Sequence, residues 1–257
     1  MIVTTAGRTN NEMIGLAKRI AEELNAPYLK RDKRSIMNIQ AVTNDDILIV
    51  GKNRLEIYPQ TSDEPIFFHP NSAMFRIKRI KKGEHDPFVQ ACGLARGDSL
   101  LDCTLGLGSD SIVASYVVGN SGKVTALEGN EYLYYLLKGG LHSWDTGIPL
   151  MNQAMARIQV KHDTFERFLL SCPSNSFDIV YFDPMFEEGI DESVGIKGLR
   201  HYAIYSSLSD QVIEDALRVA KKRVVLKDHW KSNQFEKYGF TVFRRKTAKF
   251  HFGVIDA

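Results

Sequence analysis

Hydrophobic positions fall into two regimes along the chain. In the first third the spacing is mixed. "MIVTTA" predicts a short strand. "NEMIGLAKRIAEELN" sets Met13, Leu16, Ala17, Ile20 and Leu24 at helical spacing, with Asn10 or Asn11 as the N-cap. "DDILIVG" predicts another strand, and "RLEIYPQ", "PIFFHP" and "AMFRIKRIKKGE" predict strands or hairpin arms. From about residue 86 helices and strands alternate. "DPFVQACGL" predicts a helix with Pro87 in its first turn. Strands follow at "SLLDCTLG", "KVTALEGN", "QVKHD", "DIVYFD" and "KRVVLKD". Helices are predicted at "SDSIVASYVVG", "EYLYYLLKGGLHS", "TFERFLL" and "LSDQVIEDALRVA". "FTVFRRKT" and "KFHFGVID" predict a terminal hairpin. The alternation implies an α/β fold, a parallel-rich sheet with helices on both faces. A small N-terminal α/β appendage, residues 1–83, is expected to precede this main domain, residues 84–257.

Composition narrows the picture modestly. A chain of 257 residues suits one large domain, or one domain with a small appendage. With 44% hydrophobic and 25% charged residues it is globular, which excludes a disordered chain. A net charge of +2 does not diagnose a nucleic-acid partner, so local clusters must carry that argument. Cys92, Cys103 and Cys172 lack metal-ligand spacing and predict a reducing compartment without a disulfide framework. "MIVTTAGRTN" lacks the basic start and apolar core of a signal peptide, and no apolar run approaches membrane-spanning length. A cytoplasmic protein is expected.

The candidate chemistry sits at the strand ends. "LLDCTLGLGSDS" places Gly106 and Gly108 in the loop after the first main-domain strand. Glycine there permits a sharp turn and close approach of a ligand to main-chain N–H groups, although a ligand-free βα turn would read the same way. The second strand ends at Glu128, about twenty residues on, where an acid can accept both ribose hydroxyls of a nucleoside or simply cap the next helix. The third ends at Asp163, which can accept from an adenine amino group, with Thr164 starting the next helix. A glycine loop, a ribose acid and an adenine acid in series fit the adenosine half shared by NAD and S-adenosylmethionine.

The fourth strand separates the two. It ends in Asp183-Pro184-Met185-Phe186, similar to the [Asp/Asn]-Pro-Pro-[Tyr/Phe] motif of methyltransferases acting on exocyclic amines of nucleobases. Such an amine is a poor nucleophile because its lone pair is delocalised into the ring. A carboxylate and a nearby carbonyl can accept its two N–H bonds and draw the nitrogen towards a tetrahedral shape. Proline stiffens the loop and donates no hydrogen bond, and the aromatic can stack on the base. The competing reading is a strand and a proline turn with Phe186 in the core.

"FHPNSAMFRIKRIKKGEHDPFVQACGL", "LLDCTLGLGSDSIVAS", "VTALEGNEYLYYLLKGGL" and "IVYFDPMF" together resemble the RsmJ (YhiQ) family. The likeness covers roughly residues 66 to 186 well and "RVVLKD" more loosely. It implies a Rossmann-like class I methyltransferase sheet, S-adenosylmethionine as cofactor, and methylation of a guanine exocyclic amine in small-subunit ribosomal RNA. It also implies a cofactor and active-site set of Ser109, Asp110, Glu128, Gly129, Asp163, Thr164 and Asp183, to which Asp102, Gly106 and Gly108 are joined. One departure stands out. The family commonly follows this tetrapeptide with proline and basic residues, whereas here Glu187, Glu188, Asp191 and Glu192 follow, and an acidic loop does not favour a phosphate backbone.

Basic residues supply the remaining expectation. Arg76, Lys78 and Arg79, with Lys81 and Lys82, interleave with Phe75 and Ile77, and either contact RNA phosphates or form the solvated face of a strand. Arg244, Arg245, Lys246 and Lys249 form a second cluster that tilts the reading towards RNA. The histidines show no metal spacing and methyl transfer needs no metal, so none is expected. The alternatives are a methyltransferase on another base amine in tRNA or DNA, a nucleotide-cofactor oxidoreductase, which leaves the Asp183 tetrapeptide without a role, and an RNA-binding protein with a vestigial cofactor site.

Overall fold

The computed structural model describes residues 1–62, 64–184, 202, 208–245 and 247–257. Two compact units emerge. The first comprises Met1–His69 and Glu131–Trp144 with Tyr202, and the second Pro70–Asn130, residues 145–184 and residues 208–257.

In the first unit a small sheet has the order β1 (Ile2–Thr5), β2 (Ile47–Val50), β3 (Leu55–Tyr58), with β1 parallel and β3 antiparallel to β2. Helix α1 (Asn11–Glu23) starts where expected, because the Asn10 side chain accepts from the Met13 N–H at 2.8 Å. Helix α2 (Ile36–Thr43) is capped by Ser35 in the same way, and Ile39 packs with Ile2, Ile47 and Ile49. "PIFFHP" does not become a strand. Only Ile66 pairs, in an isolated bridge with Ile57.

The second correction is larger. "AMFRIKRIKKGE" is not a strand or hairpin arm but lies in helix α3 (Asn71–Lys81). Phe75-Arg76-Ile77-Lys78 alternates like a strand, yet Ala73 and Ile77 are the buried positions, four residues apart, which is the helical repeat.

The second unit then follows the expected alternation. Its elements are α4 (Pro87–Cys92), β4 (Ser99–Asp102), α5 (Ser109–Val118) and β5 (Lys123–Glu128), then α6 (Glu131–Ser143), which packs in the first unit, and α7 (Pro149–Arg157). After these come β6 (Gln159–His162), α8 (Phe165–Ser171), β7 (Phe177–Phe182), α9 (Asp210–Val219), β8 (Ala220–His229), α10 (Gln234–Lys237), β9 (Thr241–Phe243) and β10 (Phe250–Asp256). Among the described residues seven strands form one sheet in the order β6-β5-β4-β7-β8-β10-β9, parallel except for β10. The chain winds outward from β4 to β6, then returns to place β7 on the other side of β4. The gap between the loops after β4 and β7 is thus the switch point, where open α/β sheets bind ligands.

Register divides the residues between the two faces. Pairing aligns Leu101 with Val180 and Phe182 with Leu226. These four, with Val224, pack in one apolar layer with Phe165 and Leu169 of α8 and Val212 and Ala216 of α9. Side chains alternate along a strand, so Asp102, Tyr181 and Lys227 belong to the opposite face. There Phe88 of α4 meets Tyr181 edge-on at 4.7 Å between ring centroids.

Candidate active site

The loop after β4 is shaped by its glycines. Gly106 and Gly108 have φ of +51° and +75°, the left-handed region that a side chain disfavours. Gly108 caps α5, whose first N–H groups open towards the loop. The loop is tied to the strands on both sides. The Leu105 N–H donates to the Leu127 carbonyl at 3.0 Å, and the Cys103 N–H to the Tyr181 carbonyl at 2.9 Å. Asp102 is buried beneath it, accepting from the Thr104 N–H at 3.0 Å and the Ser111 hydroxyl at 2.6 Å. Burial, opposed by those two hydrogen bonds, raises its carboxyl to about 7.

Glu128 and Asp163 stand at neighbouring strand ends, and the Asp163 N–H donates to the Glu128 carbonyl at 3.2 Å. The Glu128 carboxylate accepts from the Asn130 N–H at 2.8 Å, and burial pushes it up to about 7. The Gly129 carbonyl lies 3.1 Å from His162 Nε2. Asp163 Oδ1 takes the Thr164 N–H at 2.9 Å and also pairs with Arg167. Thr164 caps α8 with its hydroxyl.

Asp183 is reached by a different route. Its N–H donates to Thr104 Oγ1 at 2.6 Å, which joins the end of β7 to the glycine loop. Its Oδ2 accepts from Lys227 Nζ at 2.6 Å. Lys227 Nζ lies 3.6 Å from Asp110, whose Oδ1 takes Arg76 Nη1 at 2.5 Å and whose Oδ2 takes the Tyr181 hydroxyl at 2.9 Å. Arg76 in turn grips Asp86 with Nε at 2.8 Å and Nη2 at 2.9 Å, while Asp86 caps α4. Three carboxylates and two cations therefore alternate from Asp86 to Asp183. Burial would lower the Lys227 ammonium, but the two carboxylates beside it raise it above its ordinary range. Burial raises Asp183 to about 6 against the pull of Lys227. Asp110 also suffers burial, yet Lys227 and Arg76 hold it down at about 2.

The sequence-predicted residues thus separate. Asp102, Gly106, Gly108 and the Asp183-Pro184 step gather at the switch point, with Glu128, Gly129, Asp163 and Thr164 along the same strand ends. Ser109 and Asp110 turn to Arg76, at 3.4 and 2.5 Å. Arg76 points inward into that network, so of the three proposed RNA contacts only Lys78 and Arg79 are on the exposed face of α3, and Arg79 pairs with Glu84 at 2.6 Å. Met185 and Phe186, and the acidic residues after them, lie outside the described residues. Sequence reasoning missed Lys227 and Thr104. The signal for Lys227 was present: a lone lysine closing the apolar run "VVL", level with the end of the strand that carries Asp183.

A family model described as "Putative SAM-dependent methyltransferase" matches residues 33–252. The chain belongs to this methyltransferase family. Among its relatives is the "Uncharacterized protein YpiP" of Bacillus subtilis, 50% identical over 256 residues that cover 99% of each chain. The "Ribosomal RNA small subunit methyltransferase J" of Buchnera aphidicola is 26% identical, covering 82% of each. The crystal structure of the SAM-dependent methyltransferase NGO1261 from Neisseria gonorrhoeae superposes with a TM-score of 0.65 at 18% identity, covering 100% of this chain and 96% of that one.

S-adenosylmethionine is accordingly the methyltransferase's cofactor, and the residues present fit it. Gly106 and Gly108 leave the loop without side chains over its backbone, and Glu128 is a half-buried carboxyl at the second strand end with capacity to accept ribose hydroxyls. Asp102 could support the loop from below, and Asp163 and Thr164 could meet the adenine. Among the described residues no group of three His, Cys, Asp or Glu side chains could hold a metal ion, and no helix is long and apolar enough to cross a membrane.

Proposed function

We propose that this methyltransferase modifies an exocyclic amine of a guanine in cytoplasmic ribosomal RNA, with Asp183 as the group that receives the amine. One observation carries the reading: the Asp183 backbone is bonded to the glycine loop through Thr104 at 2.6 Å, while its carboxylate is held by Lys227 at 2.6 Å. The acceptor of an N–H bond is thereby fixed beside the loop assigned to the cofactor. The relatives named small-subunit ribosomal RNA methyltransferases support the substrate class.

When bound, S-adenosylmethionine supplies an electrophilic methyl group on a sulfonium. The chain's own residues do the rest. Asp183 accepts one N–H of the target amine through the oxygen that Lys227 does not hold, which localises the nitrogen lone pair and aims it. Lys227 keeps Asp183 ionised and fixes its rotamer. Pro184 stiffens the exit from β7. Once the amine nitrogen carries the methyl group it would release its extra proton, for which Asp183 would provide the first acceptor. No strongly basic side chain is needed. The test is transfer of labelled methyl from S-adenosylmethionine to small-subunit ribosomal RNA from a strain lacking the gene, with transfer RNA and DNA in parallel. Asp183→Ala is expected to bind cofactor and lose most transfer. Transfer by Asp183→Ala at the wild-type rate would refute the role, and labelling of transfer RNA or DNA alone would refute the substrate.

A further inference from the structure

Lys227 stands between two carboxylates and favours one of them. Its Nζ lies 2.6 Å from Asp183 Oδ2 but 3.6 Å from Asp110 Oδ2, so only Asp183 is within hydrogen-bond reach. Both partners carry the same charge, and charge alone does not choose between them. They differ in how they are otherwise engaged. Asp110 has a donor on each oxygen, Arg76 Nη1 on Oδ1 at 2.5 Å and the Tyr181 hydroxyl on Oδ2 at 2.9 Å. The Asp183 carboxylate has, among the described residues, Lys227 as its one donor.

Strand register delivers the tyrosine to this point. Tyr181 pairs with Val225 and Phe182 with Leu226, and side chains alternate, so Tyr181, Asp183 and Lys227 share the face opposite the apolar layer. Tyr181 is fully buried, edge-on to Phe88. Burial, with the Asp110, Asp183 and Asp102 carboxylates around it, pushes the phenol well above its ordinary range, so it stays a donor. The other ionisable groups that act on these side chains are Arg76 of α3, Cys92 of α4, Asp102 of β4 and Asp228 of β8. From β10 the Phe250 ring covers Lys227, 4.9 Å from Nζ to its centroid. Among the described residues Tyr181 is the one hydroxyl that reaches Asp110 Oδ2.

A phenylalanine at this position would fill the same space against Phe88 and need no partner, so what the hydroxyl adds is its effect on Asp110. A buried carboxylate oxygen left without a donor draws in the nearest one, and here that is Lys227. We infer that Tyr181 is a positioning residue: its hydroxyl occupies Asp110 so that Lys227 stays on Asp183 and leaves the other Asp183 oxygen to the incoming amine. Asp110 then serves as a counter-charge that keeps the ammonium protonated without capturing it. This rests on the reading of Asp183 as the amine acceptor.

The test reads the Asp183 carboxyl directly, by carbon-13 NMR titration of the full chain labelled at its aspartate carboxyls, with the Asp183 signal identified by its loss in Asp183→Ala. In Tyr181→Phe, Lys227 is released towards Asp110, and the Asp183 midpoint is expected to rise by about one pH unit from about 6. In Asp110→Asn the ammonium is left to Asp183 alone, and the midpoint is expected to fall by about one pH unit. The acidic limb of single-turnover methyl transfer should move the same way, so that at pH 5 Tyr181→Phe is roughly tenfold slower and Asp110→Asn up to about fivefold faster than wild type. A tyrosine that only packs would leave the titration where it is. An unchanged or lowered Asp183 midpoint in Tyr181→Phe would overturn the inference, and it decides alone if Asp110→Asn does not fold. Opposite midpoint shifts in the two variants with an unmoved transfer limb would support the hold of Tyr181 on Lys227 and refute Asp183 as the acceptor. Loss of transfer in Asp183→Ala without any midpoint shift in Tyr181→Phe would do the reverse.

Discussion

Lys227→Met gives the most discriminating prediction, because it removes a charge while keeping most of the stem. Lys227 Nζ is 2.6 Å from Asp183 and 3.6 Å from Asp110. Two unit charges 4 Å apart attract by about 4 kcal/mol at an effective dielectric near 20, equivalent to roughly 3 pH units. Allowing for relaxation, loss of the ammonium moves Asp183 up by about 2–3 units from its value of about 6. Near pH 7.5 the ionised fraction then drops from almost all to roughly 3–25%, so single-turnover methyl transfer should slow about 4- to 30-fold. The sign is decisive. A raised carboxyl pKa means that raising the pH restores the acceptor, so the variant should recover towards the wild-type rate above about pH 9. The assay is single-turnover transfer to unmodified small-subunit ribosomal RNA across pH 6–10, with cofactor binding measured in parallel. A merely structural lysine would lower the rate equally at every pH. A variant with the wild-type rate and an acidic limb still near 6 would refute the coupling between Lys227 and Asp183.

Three further outcomes follow from the same geometry. Asp102 is held at about 7 against an ordinary value of 3.8, so the folded state binds this proton more tightly and loses stability as pH rises from about 4 to 7; Asp102→Asn should gain on wild type over that window in urea unfolding, and a constant difference would remove Asp102 as the cause. Glu128→Ala should weaken S-adenosylmethionine binding by about 1–3 kcal/mol in calorimetry, and an unchanged affinity in a folded variant would take Glu128 out of the site. Arg76→Met leaves Asp86 and Asp110 without their shared partner and should destabilise the fold by roughly 3–5 kcal/mol at neutral pH. A loss below about 1 kcal/mol in the same unfolding assay would mean that the network is not a unit.

The legible parts of this protein were those where one residue's type decides its place. Buried parallel strands read as apolar runs, and a carboxylate that closes such a run falls at the strand-end edge of the sheet, so Asp102, Glu128 and Asp183 could be located from the sequence, whereas Asp163 follows the polar, exposed edge strand β6 and was placed by the alternation of elements alone. Arg76 could not. A cation in a basic stretch looks solvated until the fold brings Asp86 and Asp110, 10 and 34 residues away, against it. Helix α3 was misread because four residues of apparent alternation outweighed the longer repeat from Ala73 to Ile77. Thr104 carried no signal, since its role is a single hydrogen bond to a backbone N–H that becomes its neighbour only when β7 lies beside β4.

The pairing of β7 with β8 has a consequence for how errors in folding are disposed of. Tyr181 faces Val225 and Phe182 faces Leu226, so the last turn of register decides which of two adjacent side chains enters the apolar layer. A slip by one residue would swing Asp183 into that layer and Phe182 out of it. An unpaired carboxyl among phenylalanines and leucines costs several kcal/mol, comparable with the whole margin by which a domain stays folded. A misregistered molecule would therefore not persist as a stable but silent enzyme, competing for substrate. It would open and be cleared with other unstable chains, so that loss of stability also removes copies in which Asp183 is misaligned.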